Sequence, residues 1–324
     1  MFVSGFMGSP RKNGNTAFLL DIFMKQLEKN GAKTLIVNVP EKKILPCTGC
    51  ALCEKKGICS IDDDMQREIL PILRKSDIIV IASPIYFYNA PSELKALIDR
   101  SQTLWARKYK LKIDDPSEIS RKGFMLSVGA TKGKDLFDSI NLTMKYFFKG
   151  ISADFAGELS YRRVEERGDL EKIESVYKDV NVAAEKLSAA FRKKIILFTC
   201  STNTGRSQMA GAFARKVAGD KFNILTAGTM PADKIEPEIE LAMADVGIDI
   251  GYRLPEPIDK VTEIDKPDYI VTINAGDETC IHMPDTESFI WQIENPAGKS
   301  QENIATIRND IENRVNELIT SLEL

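Results

Sequence analysis

Histidine is nearly missing from this 324-residue chain: His282 is the single imidazole, which excludes any catalytic scheme built on a histidine pair. No apolar run approaches the roughly 18 residues that a membrane span requires. Residues 1–7 lack a basic stretch and a signal-type apolar core, so the expectation is a cytoplasmic protein with no membrane contact. Neither sign of charge dominates. A net charge of −3 gives no reason to expect nucleic acid or an anionic lipid surface as a partner. The Walker lysine pattern and G-x-G-x-x-G are both absent, which disfavours a nucleoside triphosphate or a dinucleotide pyrophosphate as ligand.

What is present divides in two. The length is large for one hydrophobic core, and strand-like and helix-like stretches alternate through both halves. In the first half, residues 2–7, 35–37, 78–82 and 124–128 read as strands. The run 78–82 is apolar on both faces and therefore central and parallel. Helical periodicity follows at Phe18, Leu19, Ile22, Phe23 and Leu27, over residues 65–75 and 92–104, and over a closing helix that starts near 168. In the second half, strands are expected at 195–200, 223–226, 269–273 and 289–291, with helices at 207–217 and 301–322. The expected architecture is α/β: two doubly wound parallel-sheet domains, residues 1–192 and 193–324. The join through Arg192-Lys193-Lys194 has little glycine or proline and is short.

Three loops of the first half sit where parallel sheets bind ligands, at the carboxyl ends of strands. Ser9, Arg11, Asn13, Asn15 and Thr16 offer hydroxyls, amides and a guanidinium to a phosphate at a helix N-terminus. Pro84-Ile85-Tyr86-Phe87-Tyr88 is bounded by prolines, and three consecutive aromatics cannot all point inward. Gly129 begins a third such loop. These segments, with residues 94–100, Leu-Lys-Ala-Leu-Ile-Asp-Arg, resemble the NAD(P)H-dependent FMN reductase family of flavodoxin-like proteins over roughly residues 1–190. The resemblance implies that the first loop holds the FMN phosphate, that Pro84, Ile85, Tyr86, Phe87 and Tyr88 line the isoalloxazine, that Gly129 closes the site, and that the protein is a homodimer.

Of six cysteines, Cys47, Cys50, Cys53 and Cys59 fall within thirteen residues. In a reducing compartment such a cluster points to a metal rather than to disulfides. Thiolates at steps of three residues wrap one compact centre, with Gly49 and Gly57 allowing tight turns. The first spacings are those of cubane iron–sulfur ligation; a structural zinc site is the competitor. Combined with a flavodoxin-like domain, the motif resembles the iron–sulfur flavoproteins, which implies a [4Fe–4S] cluster on these four cysteines that exchanges electrons with FMN.

The second half is organised around Cys200. A β-branched strand ends at that cysteine, passes through Ser201-Thr202-Asn203-Thr204-Gly205 and enters a helix at Arg206-Ser207. Loop N–H groups and the helix dipole converge there on an oxyanion, and the same field favours the reactive thiolate. Arg206 binds a tetrahedral dianion in bidentate fashion and sets it against the sulfur for in-line attack. Asn203 and Ser207 are placed to hold the loop and to donate to the thiolate.

Cys200 to Ala214, with Ala227-Gly228-Thr229 and Asn295-Pro296-Ala297-Gly298-Lys299, resembles the low-molecular-weight protein tyrosine phosphatase superfamily, and within it the arsenate reductases. Two departures bear on mechanism. Where that superfamily has an aspartate acid before the proline, this chain has Asn295; an amide cannot protonate a leaving group, a loss worth about 10²–10⁴-fold to a phosphatase. Of two further relay cysteines, one position is Asn274, and only Cys280 remains. The expected function is reduction of arsenate or a similar oxyanion at Cys200 and Arg206. Cys280 resolves the cysteine oxidation, and the FMN/[4Fe–4S] half, fed by NAD(P)H or ferredoxin, reverses it. The alternatives are a redox-regulated tyrosine phosphatase and an oxyanion-binding sensor.

Overall fold

In the computed structural model, which describes residues 1–263, 266–276 and 283–323, the chain forms two compact units. The first comprises Met1–Lys112 and Arg121–Arg192, the second Ile113–Ser120 and Lys193–Leu324. Each is built on its own parallel sheet.

The first sheet has five strands in the order β2-β1-β3-β4-β5: β1 (Phe2–Met7), β2 (Lys33–Asn38), β3 (Ile78–Pro84), β4 (Lys122–Gly129) and β5 (Asp154–Arg162). All its neighbours pair in parallel. This is the flavodoxin-like order, which reverses at β1/β3 and opens a crevice there. β3 is buried along its length, as its two-faced apolar run requires. Strand β5 carries no such signal: Asp-Phe-Ala-Gly-Glu-Leu-Ser-Tyr-Arg has no β-branched residue, and its register against β4 slips between Gly123 and Phe124, with Gly157 at φ +138°.

Helices α1 (Asn15–Lys29) and α7 (Val176–Ala189) share one face of the sheet with Phe23, Leu27, Val180 and Leu187 in the core. The other face packs Leu94, Leu97, Met144 and Phe148 from α4 (Ser92–Arg100) and α6 (Asp138–Gly150). Between β2 and β3 the chain runs through short α2 (Leu52–Lys56), a π turn at Met65–Ile69 and α3 (Leu70–Lys75). Pro71 lacks the N–H that a continuous α-helix needs, so the helix expected over 65–75 is split at this point. A separate α5 (Gln102–Tyr109) follows α4.

The second sheet has the order β7-β6-β8-β9, all parallel: β6 (Ile195–Cys200), β7 (Asn223–Gly228), β8 (Tyr269–Asn274) and β9 (Glu287–Gln292). Central β6 is flanked on both sides, so the residue at its carboxyl end, Cys200, is held in a buried row. Helices α8 (Arg206–Ala218), α9 (Pro237–Ala244) and the long α11 (Gln301–Leu322) cover one face through Met209, Phe213, Ile239, Ile304 and Ile311. The short α10 (Ile258–Thr262) brings Val261 onto the other face, against Leu197 and Ile270. Among the described residues no helix is long and apolar enough to cross a membrane.

Candidate functional sites

The loop after β6 is fixed from two directions. Thr229 N–H donates to the Cys200 carbonyl (3.2 Å), Met230 N–H to Ser201 (2.8 Å) and Ala232 N–H to Thr202 (3.1 Å), so the segment after β7 tracks the loop backbone. Gly228 permits this approach, because a Cβ there would lie 2.7 Å from the Ser201 carbonyl. At the loop's centre Asn203 is fully buried with φ +55°, a left-handed conformation that asparagine tolerates better than most residues. Its side-chain oxygen accepts from Gln208 Nε2 (3.1 Å) and from Glu256 N–H (3.0 Å), and its Nδ2 donates to Ser207 Oγ (2.7 Å).

The Ser207 hydroxyl, which accepts from Asn203, lies 3.0 Å from Cys200 Sγ, within reach to donate to a thiolate. Cys200 is 5 % exposed and Arg206 2 %. Arg206 opens α8, and its Nη1 donates to the Ile293 carbonyl at 3.2 Å, which ties the guanidinium to the segment after β9. Helix α8 has Gly205 at its N-cap, no side-chain cap and no acidic residue in its first turn. Its first N–H groups therefore keep their capacity for an anion.

All four residues expected at this site within the described chain, Cys200, Asn203, Arg206 and Ser207, come together. The fifth, Cys280, lies outside the described residues. Gln208 and Glu256 do not stand out in the sequence, because the loop uses one through an amide and the other through its backbone. Asn295 does no acid chemistry: its Oδ1 accepts from Ala297 N–H (3.2 Å) and shapes the turn. The adjacent Glu294 is held by Lys299. Asn274 ends β8 as a buried residue.

In the first unit, a cavity of about 400 Å³ opens at the β1/β3 crevice. Ser9, Arg11, Asn13, Asn15, Thr16, Pro84, Ile85 and Tyr86 line it, as expected. Val128, Ala130, Val164, Glu165 and Arg167 complete the wall. Its floor is the N-terminus of α1, which also lacks a side-chain cap and an acidic first turn. The Asn15 side chain also has a structural task. Its Nδ2 donates to the Glu166 carbonyl (2.8 Å), and its Oδ1 accepts from Gly168 N–H (3.1 Å) and Leu170 N–H (3.4 Å). It anchors the loop that carries Arg167 to the cavity, through partners 151, 153 and 155 positions along the chain and invisible to local pattern.

Gly129, Phe87 and Tyr88 do not line the cavity. Gly129 is packed against Leu136, where a Cβ would fall 2.6 Å from Cδ2. Phe87 and Tyr88 form the tip of a tight hairpin in which Tyr86 and Asn89 exchange both backbone hydrogen bonds, at 2.8 and 2.9 Å. Both have positive φ, +47° and +63°, and Phe87 is fully exposed. Two-residue turns of this kind normally carry Asn-Gly. The cavity fits FMN by the chemistry of its lining: an uncapped helix N-terminus, hydroxyls and two arginines suit a phosphate, and Pro84, Ile85 and Tyr86 suit a ring.

Cys47, Cys50, Cys53 and Cys59 all line one small pocket with Ser60, Arg100, Gln102 and Thr103. Among the described residues, however, no three groups converge closely enough to hold a metal ion, so the expected tetrahedral centre is not preformed. Instead Cys50 Sγ pairs with Ser60 Oγ at 3.1 Å, which lowers the Cys50 pKa, while burial raises that of Cys53. The donor set still suits an iron–sulfur centre: four thiols face one pocket, and the buried Arg100 in its wall has an Nε without a hydrogen-bond partner.

Residues 195–324 match the family model for low molecular weight phosphotyrosine protein phosphatase, and residues 1–132 that for NADPH-dependent FMN reductase. Arsenate reductase 1 of Bacillus cereus is 36% identical over 125 residues, which are 38% of this chain and 92% of that protein. The second half of the chain belongs to the low molecular weight phosphotyrosine protein phosphatase family. The chain is a fusion, in which this phosphatase-family domain follows an FMN-reductase-family domain, and both families are enzymes. The front half is 35% identical over 132 residues to an iron–sulfur flavoprotein of Methanosarcina thermophila, 41% of this chain and 65% of that protein. An iron–sulfur flavoprotein of Archaeoglobus fulgidus is 43% identical over 96 residues, 30% of this chain and 43% of that protein. The chain thus spans about half the length of the iron–sulfur flavoproteins that it matches.

Proposed function

We propose that the protein reduces arsenate to arsenite at the Cys200–Arg206 loop and that its flavin half restores the oxidised thiols. The observation that carries this reading is the buried Cys200 sulfur, 3.0 Å from the Ser207 hydroxyl, at an uncapped helix N-terminus that begins with Arg206. Such a site binds a tetrahedral oxyanion and presents a nucleophile to it.

The chemistry balances as follows. The Cys200 thiolate attacks arsenic, and one arsenate oxygen leaves as water, so that a sulfur–arsenic bond replaces an oxygen–arsenic bond. A second thiol, which we assign to Cys280, attacks the Cys200 sulfur. The sulfur–arsenic electron pair stays with arsenic, As(V) becomes As(III), and arsenite leaves as a Cys200–Cys280 disulfide forms. Two electrons and two protons return the thiols. Ser207 and the α8 N–H groups hold negative charge on sulfur and oxyanion, and Arg206 orients the anion.

FMN bound in the α1 cavity would supply the reducing equivalents, and Cys47, Cys50, Cys53 and Cys59 would hold a [4Fe–4S] cluster, a one-electron carrier. Ser9, Arg11, Asn13 and Thr16 would hold the FMN phosphate, and Pro84, Ile85 and Tyr86 its ring. NAD(P)H or ferredoxin is the proposed donor. The arsenate reductase relatives and the FMN reductase match support this pairing of halves. A phosphatase has less support, since Asn295 caps a turn and Glu294 is tied to Lys299.

The test is anaerobic. Protein holding its flavin is reduced, mixed with arsenate, and followed by its visible spectrum together with arsenite release. Flavin reoxidation in proportion to arsenite is the expected result. No reoxidation, or hydrolysis of an aryl phosphate by the reduced protein that Cys200→Ser abolishes while arsenate leaves the flavin reduced, overturns it.

A further inference from the structure

A buried ion pair closes the neck of the cysteine pocket. Arg100, the last residue of α4, is 1 % exposed and forms an end-on ion pair with Asp63, which is 1 % exposed at its side chain. Nη1 donates to Asp63 Oδ2 (2.8 Å) and to the Leu45 carbonyl (2.8 Å); Nη2 donates to Asp63 Oδ1 (3.0 Å) and to the Ile61 carbonyl (3.2 Å). Asp63 accepts in turn from Leu45 N–H (2.9 Å) and Met65 N–H (3.1 Å). Leu45 and Ile61 bracket the cysteine loop, so one guanidinium ties both of its ends.

Four donations leave from the two terminal nitrogens, and none from Nε. The Nε–H lies on the side edge of the guanidinium, away from the end-on carboxylate, in a side chain that forms part of the wall around the four cysteines. An unsatisfied buried N–H is unfavourable by about 1–3 kcal/mol unless something accepts from it.

We propose that Arg100 is the positioning residue of the cysteine pocket: it closes the neck of the loop through Asp63 and turns its remaining Nε–H and its charge toward the sulfurs of an iron–sulfur cluster. The inference rests on the reading that the four cysteines hold such a cluster. Hydrogen bonds to sulfur and nearby charge are what set a cluster's potential. Reduction adds a negative charge, so a fixed cation in a low-dielectric wall stabilises the reduced state more and raises the midpoint potential.

The experiment uses the full chain, reconstituted anaerobically with ferrous iron and sulfide. Iron and sulfide content, the electron paramagnetic resonance of the reduced cluster and its midpoint potential are measured in wild type, Arg100→Lys, Arg100→Gln and the double variant Asp63→Leu/Arg100→Met. The double variant removes both charges together and leaves no lone buried ion, so it stays folded where Arg100→Gln does not. Retained FMN reports on folding independently. The expected result is cluster loss to chelator about 10–100-fold more readily in the variants, with the potential of any retained cluster shifted downward and its resonance altered. Arg100→Lys, which keeps the charge, should show the smaller shift in potential. A folded double variant with full iron and sulfide at the wild-type potential overturns the role of Arg100 while the cluster stands. Wild-type protein that takes up no iron and sulfide overturns the cluster reading, and this inference with it.

Discussion

Asn203 illustrates what one residue can hold together. Its left-handed backbone, two accepted hydrogen bonds and one donated bond orient Ser207 toward sulfur. Asn203→Ala should lower stability by about 1–3 kcal/mol through its orphaned partners and weaken anion binding at the same time. Thermal unfolding with and without inorganic phosphate separates the two effects. Ser207→Ala removes the hydroxyl that faces Cys200 and the acceptor of Asn203 Nδ2, and should slow the thiol step about 10–100-fold, the rate equivalent of a hydrogen bond to a charged group. Stopped-flow measurement of arsenate-dependent oxidation checks it.

Asp63 gives a pH signature. Its hydrogen bonds and Arg100 lower its pKa against the opposing effect of burial. A depressed folded-state pKa means stability that is present above the ordinary aspartate value of about 3.9 and lost as pH falls through the folded value. Acid unfolding of wild type should therefore be steeper below about pH 4 than that of the double variant Asp63→Leu/Arg100→Met. Equal slopes would show that the pair contributes nothing. At this scale the sequence revealed Cys200, Arg206 and the phosphate loop, because each lies on one contiguous segment. It hid Arg167, Gln208 and the anchoring bonds of Asn15, because their partners are remote or are backbone groups.

At the scale of elements, the Phe87–Tyr88 turn sets side-chain chemistry against backbone preference. Left-handed conformations at two aromatic residues cost about 1–3 kcal/mol each. Replacement by Asn-Gly should raise the melting temperature by about 2–4 °C per kcal/mol gained, as for any domain of 150–250 residues. A differential-scanning measurement on FMN-loaded protein decides it, with FMN content measured alongside. In α8 the reverse holds. Gly211 is an unfavourable helix residue in isolation, yet a Cβ there would meet Thr226 Cγ2 at 2.3 Å and Arg215 Nη1 at 3.0 Å. Gly211→Ala should destabilise by about 1–3 kcal/mol through overpacking, in spite of its better helix propensity; denaturant titration reads it. Strands β1, β3, β4, β6 and β8 were legible from apolar runs. Strand β5 was not, since an edge position demands no β-branched core residues, and α6 likewise escaped notice.

For the whole molecule, joining an oxyanion-binding thiol domain to an FMN-reductase-family domain separates single from repeated turnover. Protein stripped of flavin but holding reduced cysteines should release about one arsenite per chain and stop, by the stoichiometry of one thiol pair. Flavin-loaded protein given NAD(P)H should continue. Rapid-quench counting of arsenite distinguishes the two, and continued release without flavin would remove the front half from the reaction. The two-sheet architecture was readable from alternating periodicity. The assignment of residues 113–120 to the second unit was not, because it depends on pairing with a distant partner, as in the Asp114–Ile248 bridge.

The irregular edge of the first sheet has a further consequence. A straight outer strand invites strand addition from another chain, the first step toward amyloid-like assembly. Strand β5 is bulged opposite Gly123/Phe124, carries a glycine at φ +138°, and has charged residues at both ends and at Glu158. These features block in-register pairing along that border. Cell extracts and concentrated stocks of the folded protein should therefore stay free of thioflavin-positive fibrils seeded from this edge. Replacing Gly157 and Glu158 by valine should remove that protection.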